Sequence, residues 1–152
     1  MNWQALLFVP ANSDRLLQSA IRHRPDAVIL DLEDAVAPGD KAAARKGIGA
    51  AQARLAEAGI GCVVRVNAPL AMMVEDIAAL DRDRLSALLL PKVETPRPIE
   101  NAAELAGPEI ALIALIETPL AFDRLPRIAA APRLSGLMLG SEDLSAAMGV
   151  DP

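Results

Sequence analysis

Short apolar runs that close on acids or amides recur along this chain. Five show the pattern: AVILDLED (Ala27 to Asp34), CVVRVN (Cys62 to Asn67), ALLLPKVE (Ala87 to Glu94), ALIALIET (Ala111 to Thr118) and GLMLGSED (Gly136 to Asp143). Runs of this length and composition read as buried strands, and stretches of helical period separate them. A first strand, Leu6 to Val9, is stopped by Pro10, and Asn12 or Ser13 caps a helix through about Arg22. The second strand is Ala27 to Leu32. Pro38 stands near the start of a long Ala/Lys/Arg helix that ends near Gly59. The third strand is Cys62 to Val66, followed by a loop through Pro69 and a short helix from Val74 to Leu80. The fourth is Ala87 to Leu90, with a helix over Pro98 to Leu105. The fifth is Ala111 to Ile116, and Pro119 opens a helix that ends before Pro132. The sixth is Gly136 to Leu139, after which Ser141 caps a last short turn.

The strand ends fall at Pro10, Asp34, Asn67, Glu94, Glu117 and Asp143, a near-regular repeat of the kind consecutive βα units produce. An unpaired buried charge is very costly. Polar residues repeated at the same end of successive strands therefore imply a site at one face of a parallel sheet or barrel. Six βα units fit an open doubly wound sheet or six-eighths of a (β/α)8 barrel, which needs ~250 residues when complete. A dinucleotide-binding sheet wants a glycine-rich turn after its first strand. The sequence there is VPANSDR, and Gly47 and Gly49 lie inside a helix-like stretch. The expectation is an α/β fold, an incomplete barrel, with residues 1–152 forming a single domain.

Composition narrows the function. The chain is 53% hydrophobic with two Phe, one Trp and no Tyr, so its core is aliphatic. Stacking platforms for single-stranded nucleic acid are missing. A net charge of −5 argues against a phosphate-backbone binder. The one cysteine, Cys62, sits in an apolar run and builds neither a disulfide framework nor a thiolate cluster within the chain. No signal-peptide pattern and no membrane-length apolar stretch occurs, so the expectation is a cytoplasmic protein without nucleic-acid or membrane partners.

Glu117 and Asp143 follow the fifth and sixth strands. Two carboxylates at one site repel unless a cation or proton intervenes. With one His and one Cys in the chain, the natural cation is hard, Mg2+ or Mn2+. Helix N-capping is the plain alternative for each residue alone. Arg65 alternates with apolar residues, on the face of Val63 and Asn67, and needs an anionic partner. That partner is either a substrate carboxylate or an acid among Asp31, Glu33 and Asp34. Three acids in four residues exceed ordinary capping; they orient Arg65 or hold metal-bound waters. Arg15, Lys41 and Arg45 read either as solvated helix faces or as a cationic rim for a phosphate-bearing cofactor. Lys92 is a substrate contact or a partner for Glu94. His23, the only histidine, falls at a helix end, which excludes Ser-His-Asp catalysis and paired-histidine zinc sites.

The same segments carry a family resemblance. LFVPANSDRLL, AVILDLEDAVAPGDKAAAR, VVRVNAP, LLLPKVETP, LIALIETP and LGSEDLSAAMG resemble, in order, the motifs of the HpcH/HpaI aldolase and citrate lyase family, nearest its citrate lyase β-subunit-like branch. The resemblance covers almost the whole chain. It implies a (β/α)8 barrel with a Mg2+-dependent carbon–carbon lyase site, in which Glu117 and Asp143 bind the metal. It further implies that Arg65, with Asn67 beside it, binds the carboxylate or oxo group of the substrate. Glu33 and Asp34 then support metal and arginine as catalytic residues, and Arg15, Lys41 and Arg45 contact CoA or an acyl-carrier phosphopantetheine.

The implied reaction cleaves a 3-hydroxyacyl thioester of citryl, malyl or citramalyl type to an acyl thioester and a 2-oxo acid. The alternatives are a class II pyruvate or oxaloacetate aldolase using free aldehydes, and a non-catalytic fragment, since the family barrel continues for two more βα units. Open sheet edges favour pairing, so a homo-oligomer is expected, with other citrate-lyase-type subunits as further partners.

Overall fold

The structure, a computed structural model, describes residues 3–151; residues 1, 2 and 152 of the expected domain lie outside the described residues. Six strands form one sheet in sequential order: β1 (Leu6–Pro10), β2 (Ala27–Asp31), β3 (Gly61–Arg65), β4 (Ala87–Leu90), β5 (Ala111–Ile116) and β6 (Leu134–Leu139). Every pairing is parallel. Parallel neighbours need a crossover, and the intervening segments supply helices: α1 (Asp14–His23), α2 (Lys41–Glu57), α3 (Leu70–Ala78), α4 (Arg97–Ala106), α5 (Pro119–Asp123), α6 (Leu125–Ala129) and α7 (Ser141–Met148).

The strand period divides the core in two. Val28, Leu30, Val64, Leu88, Leu90, Leu112 and Ala114 pack outward with Leu17, Ile48, Leu55, Met73, Ile99 and Ile128 of the helices. Ala27, Ile29, Val63, Ala87, Leu89, Ile113 and Leu115 face the opposite, inner side. Strands buried on both faces need continuous apolar runs, which is what β2, β4 and β5 have. Each fully buried Leu or Ile side chain contributes about 1.5–3 kcal/mol, so an aliphatic core suffices without aromatics. The sheet is not closed: among the described residues β1 pairs only with β2, and β6 only with β5. No helix among the described residues is long and apolar enough to cross a membrane.

Several boundaries differ from the sequence reading. The helix expected from Val74 starts at Leu70, because Pro69 acts as its N-cap and its carbonyl accepts the Met73 amide at 2.9 Å. The helix expected from Pro119 to Pro132 is two short ones, since Pro126 has no N–H to continue the ladder past Arg124. Pro38–Asp40 is a 3-10 turn that leads into α2. The last turn is an eight-residue helix, α7, capped by the backbone of Gly140 with no side-chain bond from Ser141.

Candidate active site

The C-terminal ends of the strands carry two clefts. One, of about 360 Å3, is lined by Phe8, Asp31, Arg65, Glu117, Glu142 and Asp143 among others. The other, of about 650 Å3, is lined by Glu33, Asp34, Lys41, Arg45, Asn67 and Lys92 among others.

Arg65 and Asp31 end neighbouring strands and are Cα partners in the register, so their side chains leave the same face. Arg65 Nε donates to Asp31 Oδ1 at 2.8 Å and Nη2 to Oδ2 at 2.6 Å, the fork geometry that makes guanidinium–carboxylate pairs strong. Nη1 lies 3.4 Å from Glu33 Oε2. The Phe8 ring sits under the guanidinium at 5.2 Å, a cation–π contact. Burial works against the Arg65 charge, and Asp31, with the charges of Glu33 and Asp34, more than offsets it, so the pKa is raised. Asp31 also accepts the amides of Glu33 (2.8 Å) and Ala35 (3.0 Å), which turns the chain sharply after β2.

Glu33 is buried, Asp34 exposed. Lys92 Nζ donates to Glu33 Oε1 and, at 3.3 Å, to Asp34. Neither sequence-based option for Lys92 covers this, and Glu94 instead accepts from Thr118 Oγ1 at 2.9 Å. Burial holds the Glu33 carboxyl above the ordinary range, with Lys92 and Arg65 pulling it back. Burial also opposes the Asp34 charge, but Glu33 and Lys92 outweigh it and lower the pKa. The hydrogen bond to Glu33 raises the Lys92 pKa. Lys92 therefore stays charged, and a neutral amine for Schiff-base chemistry is disfavoured.

Glu117, one residue past β5, is 2% exposed. Its Oε1 accepts the Lys92 amide at 2.7 Å, and no donor among the described residues engages Oε2. Burial pushes the carboxyl up to about 7, and the charges of Glu33 and Asp143 add to it. Asp143 is exposed on the first turn of α7 and lines the same cleft. The two carboxylates that the sequence paired thus share one cavity, reached from adjacent strands.

The remaining candidates divide. Asn67 lies beyond the end of β3, where strand alternation no longer holds, and it does not share the Arg65 cleft. Its Nδ2 donates to Leu32 O (3.0 Å) and Asp76 Oδ2 (2.7 Å). Arg45 Nε bonds Asp76 Oδ1 at 2.5 Å and Nη1 bonds Glu75 Oε2 at 2.8 Å. Lys41 Nζ bonds the Leu32 and Glu33 carbonyls, both at 2.8 Å. Arg15 is exposed on α1 and lines neither cleft. Cys62 is buried in the core with its thiol pushed up to about 12, the setting of an unreactive packing residue. Asp76, fully buried, was not singled out by the sequence, because one acid on a short helix carries no signal of its partners.

Sequential parallel βα units with an arginine and several carboxylates gathered at the C-terminal strand ends define an α/β barrel-type protein with a polar site at its catalytic face. The chain belongs to the HpcH/HpaI aldolase/citrate lyase family, whose profile matches residues 4–151. It is 33% identical over 147 residues to a (3S)-malyl-CoA thioesterase of Cereibacter sphaeroides (strain ATCC 17025 / ATH 2.4.3), covering 94% of this chain and 50% of that protein. It is 33% identical over 152 residues to the citrate lyase subunit beta of Escherichia coli (strain K12), covering 92% of this chain and 50% of that one. The structure matches the citrate lyase beta subunit from M. tuberculosis, solved with oxaloacetate and magnesium, at a TM-score of 0.74 and 34% identity. That match covers 98% of this chain and 64% of the other. The chain spans about half the length of the curated relatives it matches.

Proposed function

We propose that this chain carries the site of a Mg2+-dependent carbon–carbon lyase. The substrate is a 3-hydroxyacyl thioester of citryl, malyl or citramalyl type, and the products are an acyl thioester and a 2-oxo acid. The observation that supports this best is the pair Glu117 and Asp143 at one cleft with Arg65. Glu117 fits a hard cation: it is buried, its Oε2 has no donor among the described residues, and its carboxyl is held near 7 by burial and neighbouring acids. Such a carboxylate gains most from a cation beside it. The donor set is all oxygen, which suits Mg2+ and gives no reason to prefer a softer metal.

Glu117 and Asp143 would hold the magnesium ion, which when bound would supply Lewis-acid polarisation of oxo-acid oxygens. The chain's own residues do the rest. Arg65 is fixed by Asp31 on one edge, with Nη1 beside Glu33, and it lines the cleft, where a substrate carboxylate or forming carbonyl oxygen docks. Such preorganised donors are worth most in a site already desolvated. The substrate hydroxyl loses its proton, the bond between the thioester α-carbon and the carbinol carbon breaks, and the carbinol carbon becomes the carbonyl carbon of the 2-oxo acid. The electron pair passes to the thioester enolate, which takes up a proton. Glu33 and Asp34 serve by holding Arg65 and Lys92 in place. Lys41, Arg45 and Asn67 line the 650 Å3 cleft, which takes the acyl-carrier arm. The assembled protein forms oligomers in this reading.

One observation favours a second reading, a class II aldolase acting on free aldehydes. Arg15 lines neither cleft, and Arg45, though it reaches the 650 Å3 cleft with Lys41, has two of its three guanidinium nitrogens held by Asp76 and Glu75, so the cationic rim expected for a CoA phosphate is only partly assembled. Calorimetric titration of Mg2+, with and without oxaloacetate, tests the metal site beside Glu117→Ala and Asp143→Ala. Loss of binding in both variants is expected; binding retained in either removes the lyase reading. Cleavage of malyl-, citramalyl- or citryl-thioesters, against aldol cleavage without CoA, separates the two chemistries.

A further inference from the structure

Lys92 has a backbone that nothing in its own chemistry favours. Its φ is +52°, in the left-handed region, where a non-glycine residue is uncommon and strained. Such a conformation persists only where the surroundings over-determine it. Here Pro91 and Val93 on either side are both buried, which pins the turn. The residue between them makes two contacts in different directions. Its amide donates to Glu117 Oε1 at 2.7 Å, and its ammonium binds Glu33 and Asp34. Glu33 in turn lies 3.4 Å from Arg65, which is forked onto Asp31. One continuous line of contacts therefore runs from Asp31 through Arg65, Glu33 and Lys92 to Glu117.

We propose that Lys92 is the positioning residue of the site: its left-handed turn presents the amide to Glu117 and the ammonium to Glu33, and so sets the placement of the metal-side carboxylate relative to the arginine side. The proposal deepens the lyase reading and rests on it for its functional arm. The two ends of Lys92 do separable work. The amide occupies Oε1 of Glu117 and leaves Oε2 to the cleft. The ammonium holds Glu33 against Arg65, and so acts on the oxo-acid end. A lysine that mattered only for folding would affect both ends together.

The experiment uses Lys92→Gly, which tolerates the positive φ and keeps the amide while removing the ammonium, and Lys92→Arg, which keeps the cation. Amide hydrogen exchange by NMR on the metal-free protein is the first readout. The amide of residue 92 should exchange slowly in the wild type and in Lys92→Gly, and rapidly in Glu117→Ala. The second readout is calorimetric titration of Mg2+ with and without oxaloacetate. Lys92→Gly should keep its affinity for Mg2+ alone within about twofold. It should lose roughly tenfold of the strengthening by oxaloacetate, the scale of one charge-assisted contact. Lys92→Arg should restore most of that loss. Fast exchange at residue 92 in the wild type overturns the proposal. So does an unchanged oxaloacetate effect in Lys92→Gly, or a parallel loss of both affinities with a lowered melting temperature. If the wild type binds no Mg2+, the lyase reading falls, and the exchange readout alone decides whether Lys92 holds Glu117.

Discussion

Gly140 lies against Glu117 so closely that a β-carbon at position 140 would sit 2.7 Å from the Glu117 Cβ and 3.1 Å from its Oε2. The backbone explains the approach, because the Gly140 amide donates to Ile116 O at 2.9 Å and draws the start of α7 onto the end of β5. Gly140 has φ −92°, an ordinary value, so what the glycine provides is room and not an unusual turn. Gly140→Ala is therefore expected to displace the carboxylate. Overpacking of this kind costs about 1–3 kcal/mol. Calorimetry should show at least a roughly tenfold loss of Mg2+ affinity, well beyond the change for Gly136→Ala, where the added carbon meets nothing. Equal affinities for the two variants would mean that Glu117 has room to relax.

The Asp31–Arg65 fork is the most enclosed ion pair of the site, with side chains 1% and 11% exposed. Removing one partner of such a pair leaves the other charged and desolvated, at about 3–5 kcal/mol. Arg65→Leu should destabilise on that scale in urea denaturation. The double variant Asp31→Asn with Arg65→Leu should recover part of the loss, because the stranded charge is gone. Both should fail to bind oxaloacetate, which separates the stability role of the pair from its role in the cleft.

Glu117 predicts a pH dependence with a definite sign. Its carboxyl is raised from 4.5 to about 7 in the folded chain. The protonated form is favoured by folding, so the associated stability is complete below 4.5 and is lost as the pH rises through about 7. The shift corresponds to something on the order of 3 kcal/mol. Glu117→Gln lacks this dependence. Between about pH 5 and about pH 8 the wild type should lose stability relative to Glu117→Gln in metal-free urea titrations. Metal affinity should run the other way and strengthen as the pH rises through about 7, with a proton released on binding. Parallel wild-type and Glu117→Gln curves would show that the carboxylate is not shifted.

The strands and the carboxylate pair were legible in the sequence for one physical reason. A parallel strand buried on both faces is a continuous apolar run, so the polar residue that ends it is marked by contrast, as Glu117 is after ALIALI. The same contrast exposed Arg65 among valines, though not its partner. Choosing Asp31 over Glu33 or Asp34 required the register that sets Asp31 opposite Arg65. Strand alternation predicts Asn67 on the Arg65 face, but β3 ends at Arg65 and Asn67 lines the other cleft. Lys92 and Asp76 were illegible in their actual roles. Lys92 acts through Glu33, Asp34 and Glu117, and Asp76 through Arg45 and Asn67, all on other elements of the fold, and neither a left-handed backbone nor a buried carboxylate leaves a local pattern.

Arg45 and Asp76 supply the last prediction, because the structure gives Arg45 a role that a phosphate contact does not need. Asp76 is fully buried and accepts from Arg45 Nε, the Asn67 amide at 2.7 Å and Asn67 Nδ2 at 2.7 Å. Asn67 Nδ2 also reaches Leu32 O, which Lys41 Nζ shares, so this network fixes the backbone leading into Glu33. Arg45→Ala would leave the Asp76 charge without its cation, a loss of about 3–5 kcal/mol. Its melting temperature should therefore fall well below that of Lys46→Ala, an exposed neighbour on the same helix with no ion pair among the described residues. A residue serving only to hold an acyl-carrier phosphate would give the opposite pattern, an unchanged melting temperature and a raised KM for the thioester. Thermal melts of Arg45→Ala beside Asp76→Asn decide between them, because the asparagine removes the buried charge and should be the milder of the two if the ion pair is structural.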